Sequence, residues 1–213
     1  MRMRKLKWAK EHLEKSSVVI QEPLTCAGKW RSLLNSDIVH IEIGTGKGDY
    51  WVNMAAMYPS EGFIGVEKNE SAAALSTRKY EEQPATNMKF IHQDAQAIDT
   101  WFEEGEVDVI HLNFSDPWPK RRTQKRRLSD RNFVQKYERI LKSEGELIMK
   151  SDNASLFEFS LQEFSQMNWI IKEVWVDFRS QEHAEDAISE YEKKFMDKGQ
   201  PIYRVIFQKP KHK

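Results

Sequence analysis

The chain has 213 residues, with 33 basic and 33 acidic side chains, and therefore a formal net charge of zero. Its single cysteine, Cys26, excludes an intramolecular disulfide and favours a reducing compartment. No apolar run approaches the ~18 residues that a membrane-spanning helix needs, and no hydrophobic signal segment follows the basic residues 1–10. We therefore expect a soluble, cytoplasmic protein without a membrane partner, built as one domain over residues 1–213.

The charge is distributed unevenly along this neutral chain. Residues 1–10 carry five basic groups and no acid, and residues 119–131 carry seven basic groups and one acid. These two segments have a net charge of +11, so the remainder has −11. Two basic clusters on an acidic body indicate a local site for a polyanion, and residues 1–30 are interpreted as a basic N-terminal extension.

Short runs of β-branched and aromatic residues recur along the chain and predict seven strands. These runs are 37–43, 62–67, 88–91, 107–114, 145–152, 169–178 and 202–207. Helical composition is found in residues 49–58, 69–82, 130–142 and 155–167. Strands that alternate with helices predict an α/β fold with a doubly wound, mostly parallel sheet. The last two strands are separated by an acidic stretch instead, and an antiparallel C-terminal strand is expected there.

The first strand ends in a glycine loop, residues 42–48 (EIGTGKG). Glycines permit a tight turn that brings backbone amides close to a ligand at a helix N-terminus. A dinucleotide-binding loop has the spacing G-x-G-x-x-G, but here Gly48 comes one position early and Asp49 stands in its place. The pattern G-x-G-x-G resembles the nucleotide loop of S-adenosylmethionine-dependent methyltransferases, and an ordinary glycine-rich turn is the alternative.

Acidic residues follow the first three strands. Glu42 precedes the glycine loop, Glu67 ends the second strand, and Asp94 follows the third. A carboxylate at Glu67 would accept both ribose hydroxyls, and one at Asp94 would accept the adenine amino group. Open α/β sheets bind ligands at the carboxyl ends of their strands. The spacing therefore predicts a nucleotide-type cofactor, held by these acids with Gly44 and Gly46.

The fourth strand runs into residues 113–120 (NFSDPWPK). Its two prolines fix φ and make a stiff loop that would hold Asp116 and Trp118 beside the cofactor. A basic run, residues 120–127 (KRRTQKRR), follows directly and favours contact with RNA phosphates, and the basic residues 2–7 would hold the same backbone. A packing plug is the alternative for the loop, and a localisation signal is the alternative for the run.

These motifs occur together in an order that resembles the tRNA (guanine-N7)-methyltransferase family. The matching segments are EIGTGKG, LNFSDPWPK, the KRR…KRR run, KSDN at 150–153, SEYE at 189–192 and GQPIYR at 199–204. They belong to a match over about residues 1–207, and LNFSDPWPK with the basic run is the most specific part. Ser189 stands where the family usually has Thr, which keeps the hydroxyl.

The resemblance implies a class I methyltransferase fold, S-adenosylmethionine as cofactor, and methylation of a guanine in the tRNA variable loop. The cofactor residues are then Glu42, Gly44, Gly46, Glu67, Asp94 and Asp116. The substrate contacts are Lys120, Asp152, Ser189, Glu190, Tyr191 and Glu192. The RNA contacts are Arg122, Thr123, Gln124, Lys125, Arg126 and Arg127.

Guanine N7 carries a free lone pair and no proton, so its methylation needs alignment more than a strong base. We expect Asp116 to be the catalytic residue, because a carboxylate stabilises the base as it becomes cationic. Asp116 can also accept from the guanine N1–H and N2–H groups, and Asp152 and Glu192 are further candidate acceptors. Trp118 or Tyr191 is a candidate for stacking on the exposed base.

Three other functions remain open at this point. An NAD-dependent oxidoreductase shares the early strand pattern but gives no reason for the basic run. A non-catalytic RNA-binding module explains the basic run but not the acids. A methyltransferase for another RNA, such as a cap, is the nearest rival. The histidines show no metal-ligand spacing, so no metal is expected, and His40 and His111 are predicted to pack inside strands. A monomer or homodimer without an obligatory protein partner is expected.

Overall fold

The computed structural model describes residues 4–211 of the chain. Its strands are β1 (Val39–Ile43), β2 (Gly62–Val66), β3 (Met88–Ile91), β4 (Val107–Asn113), β5 (Leu141–Ser151), β6 (Ile170–Trp175) and β7 (Tyr203–Gln208). They form one sheet in the order β3-β2-β1-β4-β5-β7-β6. Strands β1 to β5 are parallel, and β7 is antiparallel to both β5 and β6. The predicted sheet, with its antiparallel C-terminal strand, is confirmed.

Seven α-helices accompany this sheet within the described residues. They are α1 (Ala9–Lys15), α2 (Trp30–Leu34), α3 (Asp49–Met57), α4 (Glu70–Glu82), α5 (Arg131–Ile140), α6 (Ala154–Gln166) and α7 (Glu190–Met196). The last four of these helices begin at a capping side chain, whose oxygen accepts a hydrogen bond from a backbone amide in the first turn. The capping residues are Asn69, Asp130, Asn153 and Ser189. The sequence pattern predicts α3 to α6 and misses α1, α2 and α7.

Two apolar clusters cover the two faces of the sheet. One cluster includes Trp30, Ile41 and Tyr137, and the other includes Trp51 and Phe63. Successive side chains of a strand point to opposite faces, and all five residues of both β1 and β2 are buried. Helices therefore lie on both faces, as a doubly wound sheet requires.

The start of β5 differs from the prediction. The sequence pattern opens this strand at Gly145, but it begins at Leu141, which pairs with Val107. The register then shifts before Val109 pairs with Glu146, and Glu144 adopts a left-handed φ of 60° within the shifted stretch. The pattern misses the first part of β5 because its pairing depends on a partner strand distant in sequence.

The topology places one edge of the sheet at the centre of the site. Strand β1 lies between β2 and β4, where the strand order reverses, and ligands bind open α/β sheets outside the carboxyl ends at such a point. Strand β7 runs opposite to β6, so the connection over residues 176–202 leaves and returns at this same carboxyl edge. Among residues 4–211, no helix is long and apolar enough to cross a membrane.

Candidate active site

The glycine loop exposes its backbone at the carboxyl end of β1. Gly44 and Gly46 have positive φ values of 83° and 57°, and a Cβ at either position would meet no atom within 4 Å. Gly48 is different, because a Cβ there would lie 2.8 Å from Ser76. The first two glycines therefore leave room for a ligand, whereas the third permits close packing of the loop against α4.

Glu42 supplies a buried carboxylate beside this loop. Its Oε1 accepts a hydrogen bond from Asn113 Nδ2 at 2.9 Å, while its Oε2 is buried without a hydrogen-bond partner. Burial raises the pKa of Glu42 to about 7. A buried acceptor without a donor is costly, and the amino group of an amino-acid-like ligand is a donor that would satisfy it. The loop and this carboxylate therefore fit a nucleoside cofactor that carries an amino-acid group.

The two other predicted cofactor acids lie at the same edge. Glu67 Oε2 accepts from the Gly46 amide at 3.0 Å, so the carboxylate that follows β2 contacts the glycine loop directly. Burial raises the pKa of Glu67. Asp94 follows β3, is exposed, and caps the next turn by accepting from the Gln96 amide at 3.1 Å. Contacts of these acids with ribose and adenine stay predictions.

The loop after β4 has a strained backbone. Phe114 and Trp118 adopt left-handed φ values of 52° and 39°, which are uncommon for residues with a side chain. Each such residue costs of the order of 1–3 kcal/mol, and such strain concentrates at functional sites. Asp116 lies between them with an exposed side chain. The stiff loop predicted from the prolines therefore presents Asp116 to solvent at the carboxyl edge.

Arg127 holds this loop from beneath. Its Nε donates to the Pro117 carbonyl at 2.9 Å, its Nη2 donates to the Trp118 carbonyl at 3.4 Å, and its guanidinium lies 4.3 Å from the Phe159 ring. Only 5% of Arg127 is exposed. The resemblance implies RNA contact for this residue, but its side chain is directed into the protein and supports the loop that carries Asp116.

The rest of the basic run is a short 3-10 turn over Arg121–Arg126. Its exposed side chains are Arg121, Arg122, Lys125 and Arg126, whereas Thr123 and Gln124 are half-buried. The Thr123 hydroxyl donates to the Lys120 carbonyl at 2.8 Å, and Lys120 itself is exposed. The turn therefore directs its cations outward from the edge of the site. We call the four exposed residues the basic turn.

The N-terminal basic residues reach the same edge. The Leu6 amide donates to Ser71 Oγ at 2.9 Å, which ties the chain to the first turn of α4. Because α4 begins just after β2, the exposed Arg4 and Lys5 lie near the carboxyl edge. Arg2 lies outside the described residues.

The side chains of residues 189–192 differ in whether they face solvent or the protein interior. Ser189 Oγ accepts the Glu192 amide and caps α7, and Glu190 forms exposed ion pairs with Lys47 and Lys194. Tyr191 is 48% exposed, and its ring lies 5.3 Å from that of Phe114. Glu192 is completely buried. Of these four predicted substrate contacts, Glu190 and Tyr191 face outward.

Tyr191 is close to two carboxylates. Its pKa is raised first by burial and then by the charges of Asp152 and Asp116. Asp152 is half-buried after β5, and burial raises its own pKa. Three predicted site residues from three separate segments therefore interact electrostatically.

A family model described as "Putative methyltransferase" matches residues 36–205 of the chain. A tRNA (guanine-N(7)-)-methyltransferase of Streptococcus thermophilus is 42% identical over 210 residues, which cover 98% of this chain and 99% of the relative. One of the same name from Bacillus licheniformis is 42% identical over 207 residues, covering 96% of this chain and 97% of the relative. The chain belongs to this methyltransferase family.

Solved structures support the fold of this family. A crystal structure of a 16S rRNA methyltransferase superposes with a TM-score of 0.63 at 12% identity, covering 86% of this chain and 92% of that chain. An S-adenosylmethionine-dependent O-methyltransferase from Thermotoga maritima superposes with a TM-score of 0.57 at 17% identity, covering all of this chain and 68% of that one. The class I methyltransferase architecture is therefore shown.

This family member contains a buried group of charges that the sequence does not predict as a unit. Lys150 Nζ lies 2.6 Å from Asp186 and 3.0 Å from Glu192, and Arg179 lies 2.5 Å and 2.7 Å from the same two acids. We call these four residues the charge cluster. A signal is present in KSDN, because its lysine directly follows the apolar residues 147–149 within β5.

The predicted packing of His40 and His111 is confirmed. Both are buried, and His40 Nδ1 lies 3.0 Å from His111 Nε2. Burial lowers the pKa of His40 to about 4 and that of His111 well below its ordinary value. Residues 4–211 contain no group of three or more histidine, cysteine or carboxylate side chains that could hold a metal ion.

Proposed function

We propose that this chain transfers the methyl group of S-adenosylmethionine to N7 of a guanine in the variable loop of tRNA. We also propose that it acts in the cytoplasm as a single domain over residues 1–213. The observation that carries the proposal is that three features of the site lie at the same carboxyl edge of the sheet. The open backbone at Gly44 and Gly46, the exposed Asp116 and the outward-facing basic turn all lie there.

The cofactor, when bound, supplies an electrophilic methyl group on a sulfonium sulfur. The chain's own residues hold it through the glycine loop, with Glu42 accepting from its amino group. Glu67 is placed to accept from the ribose, and Asp94 from the adenine. These acids come from the ends of three parallel strands, so the sheet fixes their spacing before any ligand binds.

The nucleophile is the guanine itself. Its N7 lone pair needs no general base, so the task of the site is to align N7 with the methyl group, which can lower a barrier by ~7–11 kcal/mol. Asp116 lies on a loop held by Arg127 and would stabilise the positive charge that the ring acquires. Asp152 and Asp116 can also accept from the guanine N1–H and N2–H groups, which distinguish guanine from adenine.

The substrate is held by two kinds of contact. The basic turn and Lys120 would bind phosphates outside the site, where their charge acts without being buried. Tyr191 is exposed beside Phe114 and is placed to stack on a base that has left its tRNA contacts. Unstacking costs a few kcal/mol, and this aromatic contact would offset part of that cost.

The decisive experiment combines purified protein, S-adenosylmethionine with a labelled methyl group, and a tRNA transcript. We expect label in the tRNA. Chemical treatment that cleaves RNA at N7-methylguanine should then cut the product at one position in the variable loop. Asp116→Ala should reduce kcat at least ~100-fold, the usual cost of losing an electrostatic contact to a transition state, while the cofactor dissociation constant changes much less. Near-normal turnover by this variant would remove Asp116 from the catalytic role.

The same assay separates the rival functions. Capped RNA and ribosomal RNA fragments replace tRNA in parallel reactions at equal concentration. Faster labelling of either RNA than of tRNA would show that the substrate is that RNA and not tRNA. Binding of tRNA without any transfer of label would indicate an RNA-binding module instead.

A further inference from the structure

Helix α7 is anchored in an unusual way. Of its seven residues, only Glu192 is buried, while Tyr191 and Phe195 pack beside Phe114 nearer the surface. The one fully buried attachment of the helix is therefore a charge. Surface helices ordinarily bury a hydrophobic face. The position of the outward-facing Tyr191 therefore depends on the partners of Glu192 as well as on its ring contact with Phe114.

Those partners form a closed arrangement. Glu192 Oε2 accepts from Lys150 at 3.0 Å, and its Oε1 accepts from Arg179 Nε at 2.7 Å. Asp186 Oδ2 accepts from the same two cations at 2.6 Å and 2.5 Å. Burial acts to raise the pKa of Asp186, but the charges of Lys150 and Arg179 outweigh it, so the pKa lies below its ordinary value. Two cations and two anions thus balance each other away from water.

The cluster connects two parts of the site. Lys150 is paired in register with Asn113, whose amide donates to Glu42 beside the glycine loop. Asp186 accepts from the Tyr50 hydroxyl on α3 at 2.9 Å, so its segment is also attached to the helix that follows that loop. One set of hydrogen bonds therefore runs from the cofactor side of the sheet to the base of α7.

We propose that Lys150, Arg179, Asp186 and Glu192 are positioning residues that fix Tyr191 against Phe114, at the start of the loop that carries Asp116. Glu192 then acts through its two cationic partners and does not contact the guanine. This inference rests on the proposed function for its substrate, but the anchoring itself exists in the protein without RNA. Buried ion pairs add little net stability compared with apolar residues of similar size, so a role in placing α7 gives a reason for this costly arrangement.

The test uses Glu192→Gln, which keeps the shape of the side chain and removes its charge, with Glu146→Gln as the matched control. Glu146 pairs with Lys172 at the opposite edge of the sheet, far from the site. Hydrogen exchange is measured first, on both variants without ligand. We expect amides of residues 186–196 to exchange at least tenfold faster in Glu192→Gln, with β1 to β4 unchanged, and no change in the control. Unchanged exchange in residues 186–196 would overturn the proposal.

Kinetics then separate positioning from contact with the base. We expect Glu192→Gln to lower kcat for tRNA at least tenfold, with the S-adenosylmethionine dissociation constant within about twofold of wild type. A second tRNA carries inosine at the target position and lacks the guanine N2 amino group. Positioning predicts the same fold-loss on both tRNAs. A loss that disappears on the inosine tRNA would show direct contact with the base and overturn the proposal.

Arg179→Lys provides a milder variant should Glu192→Gln fold poorly. Lysine keeps the charge but cannot reach both acids with the two nitrogens of a guanidinium. We expect the amides of α7 to exchange faster and kcat to fall, both by less than in Glu192→Gln. Wild-type values of both quantities would overturn the proposal. If wild-type protein fails to methylate tRNA, the proposed function falls, while the exchange experiment still decides whether the cluster anchors α7.

Discussion

Arg126 and Lys150 are both basic residues near the carboxyl edge of the sheet, yet their surroundings are opposite. Arg126 is exposed, and its guanidinium lies 5.1 Å from the Trp118 ring. Lys150 is completely buried between two carboxylates, with its ammonium group 4.4 Å from the Tyr50 ring. The basic turn is directed to solvent, whereas the charges of the cluster are paired with each other inside the protein.

This difference has physical consequences that can be measured separately. Exposed charges contribute little to folding and act over distances that salt screens. Buried charges are protected from salt, but each one depends on its partner for solvation. Substitutions in the basic turn should therefore change RNA affinity, and substitutions in the charge cluster should change stability and the position of α7.

The largest expected effect comes from removing one buried cation. Lys150→Met leaves Asp186 and Glu192 with only Arg179, so the free energy of unfolding should fall by about 3–5 kcal/mol. Urea denaturation measures this loss, and Lys172→Met, which breaks an exposed pair, should change stability by less than ~1 kcal/mol. Equal losses of unfolding free energy in the two variants would show that the buried and exposed ion pairs do not differ in their contribution to stability.

Glu42 provides a test of burial through pH. Burial raises its pKa from 4.5 to about 7, so ionisation of this carboxyl opposes folding. Its destabilising effect is absent below about pH 4.5, develops as the pH rises, and is complete above about pH 7. The free energy of unfolding of Glu42→Gln, relative to wild type, should therefore increase by ~3 kcal/mol as the pH rises from 4.5 to 8. A gain independent of pH would contradict the raised pKa.

The basic turn is tested by salt. Replacing Arg121, Arg122, Lys125 and Arg126 with Ser should weaken tRNA binding tenfold or more at low salt. The slope of log Kd against log salt concentration should fall by roughly 0.7–0.9 for each phosphate that the variant no longer binds. Filter binding at several salt concentrations measures both quantities. An unchanged slope would identify the turn as a solvated surface that does not touch RNA.

The smallest expected effect separates two adjacent arginines. Arg126→Met should lower the salt slope by about 1 and leave kcat nearly intact, because Arg126 is exposed. Arg127→Met should leave the slope unchanged but lower kcat several-fold, because the loop carbonyls of Pro117 and Trp118 lose their donor. Matching behaviour of the two variants would show that burial does not separate their roles.

Much of the fold can be predicted because its signals are local. Strands β1 to β4 appear as short apolar runs, and spacing alone predicts the glycine loop and the acids at the carboxyl ends of β1 and β2. Parallel strands carry their carboxyl ends to one edge, so Glu42 and Glu67 must lie near each other once the sheet is correct. The structure places both acids at the glycine loop.

The remaining features depend on contacts between segments distant in sequence. Nothing near Arg127 in the sequence shows that Phe159 lies beneath it, so it resembles the arginines before it. Glu192 lies in an acidic stretch that is typical of an exposed surface, and its burial requires Lys150, 42 residues away. Helix α7 escapes prediction for a related reason, because its buried residue is a charge and the helix spans only Glu190–Met196, which is short for a hydrophobic pattern.

The reversed direction of β7 has a consequence for how this architecture can vary. Both ends of the 176–202 connection are attached to adjacent strands at one edge. Between the residues of the charge cluster, this connection can change in length without altering the pairing of β1 to β5, on which the positions of the predicted cofactor acids depend. The segment that carries Tyr191 and the segments that carry the predicted cofactor acids are thus separable lengths of chain, so selection can act on one while the other is kept.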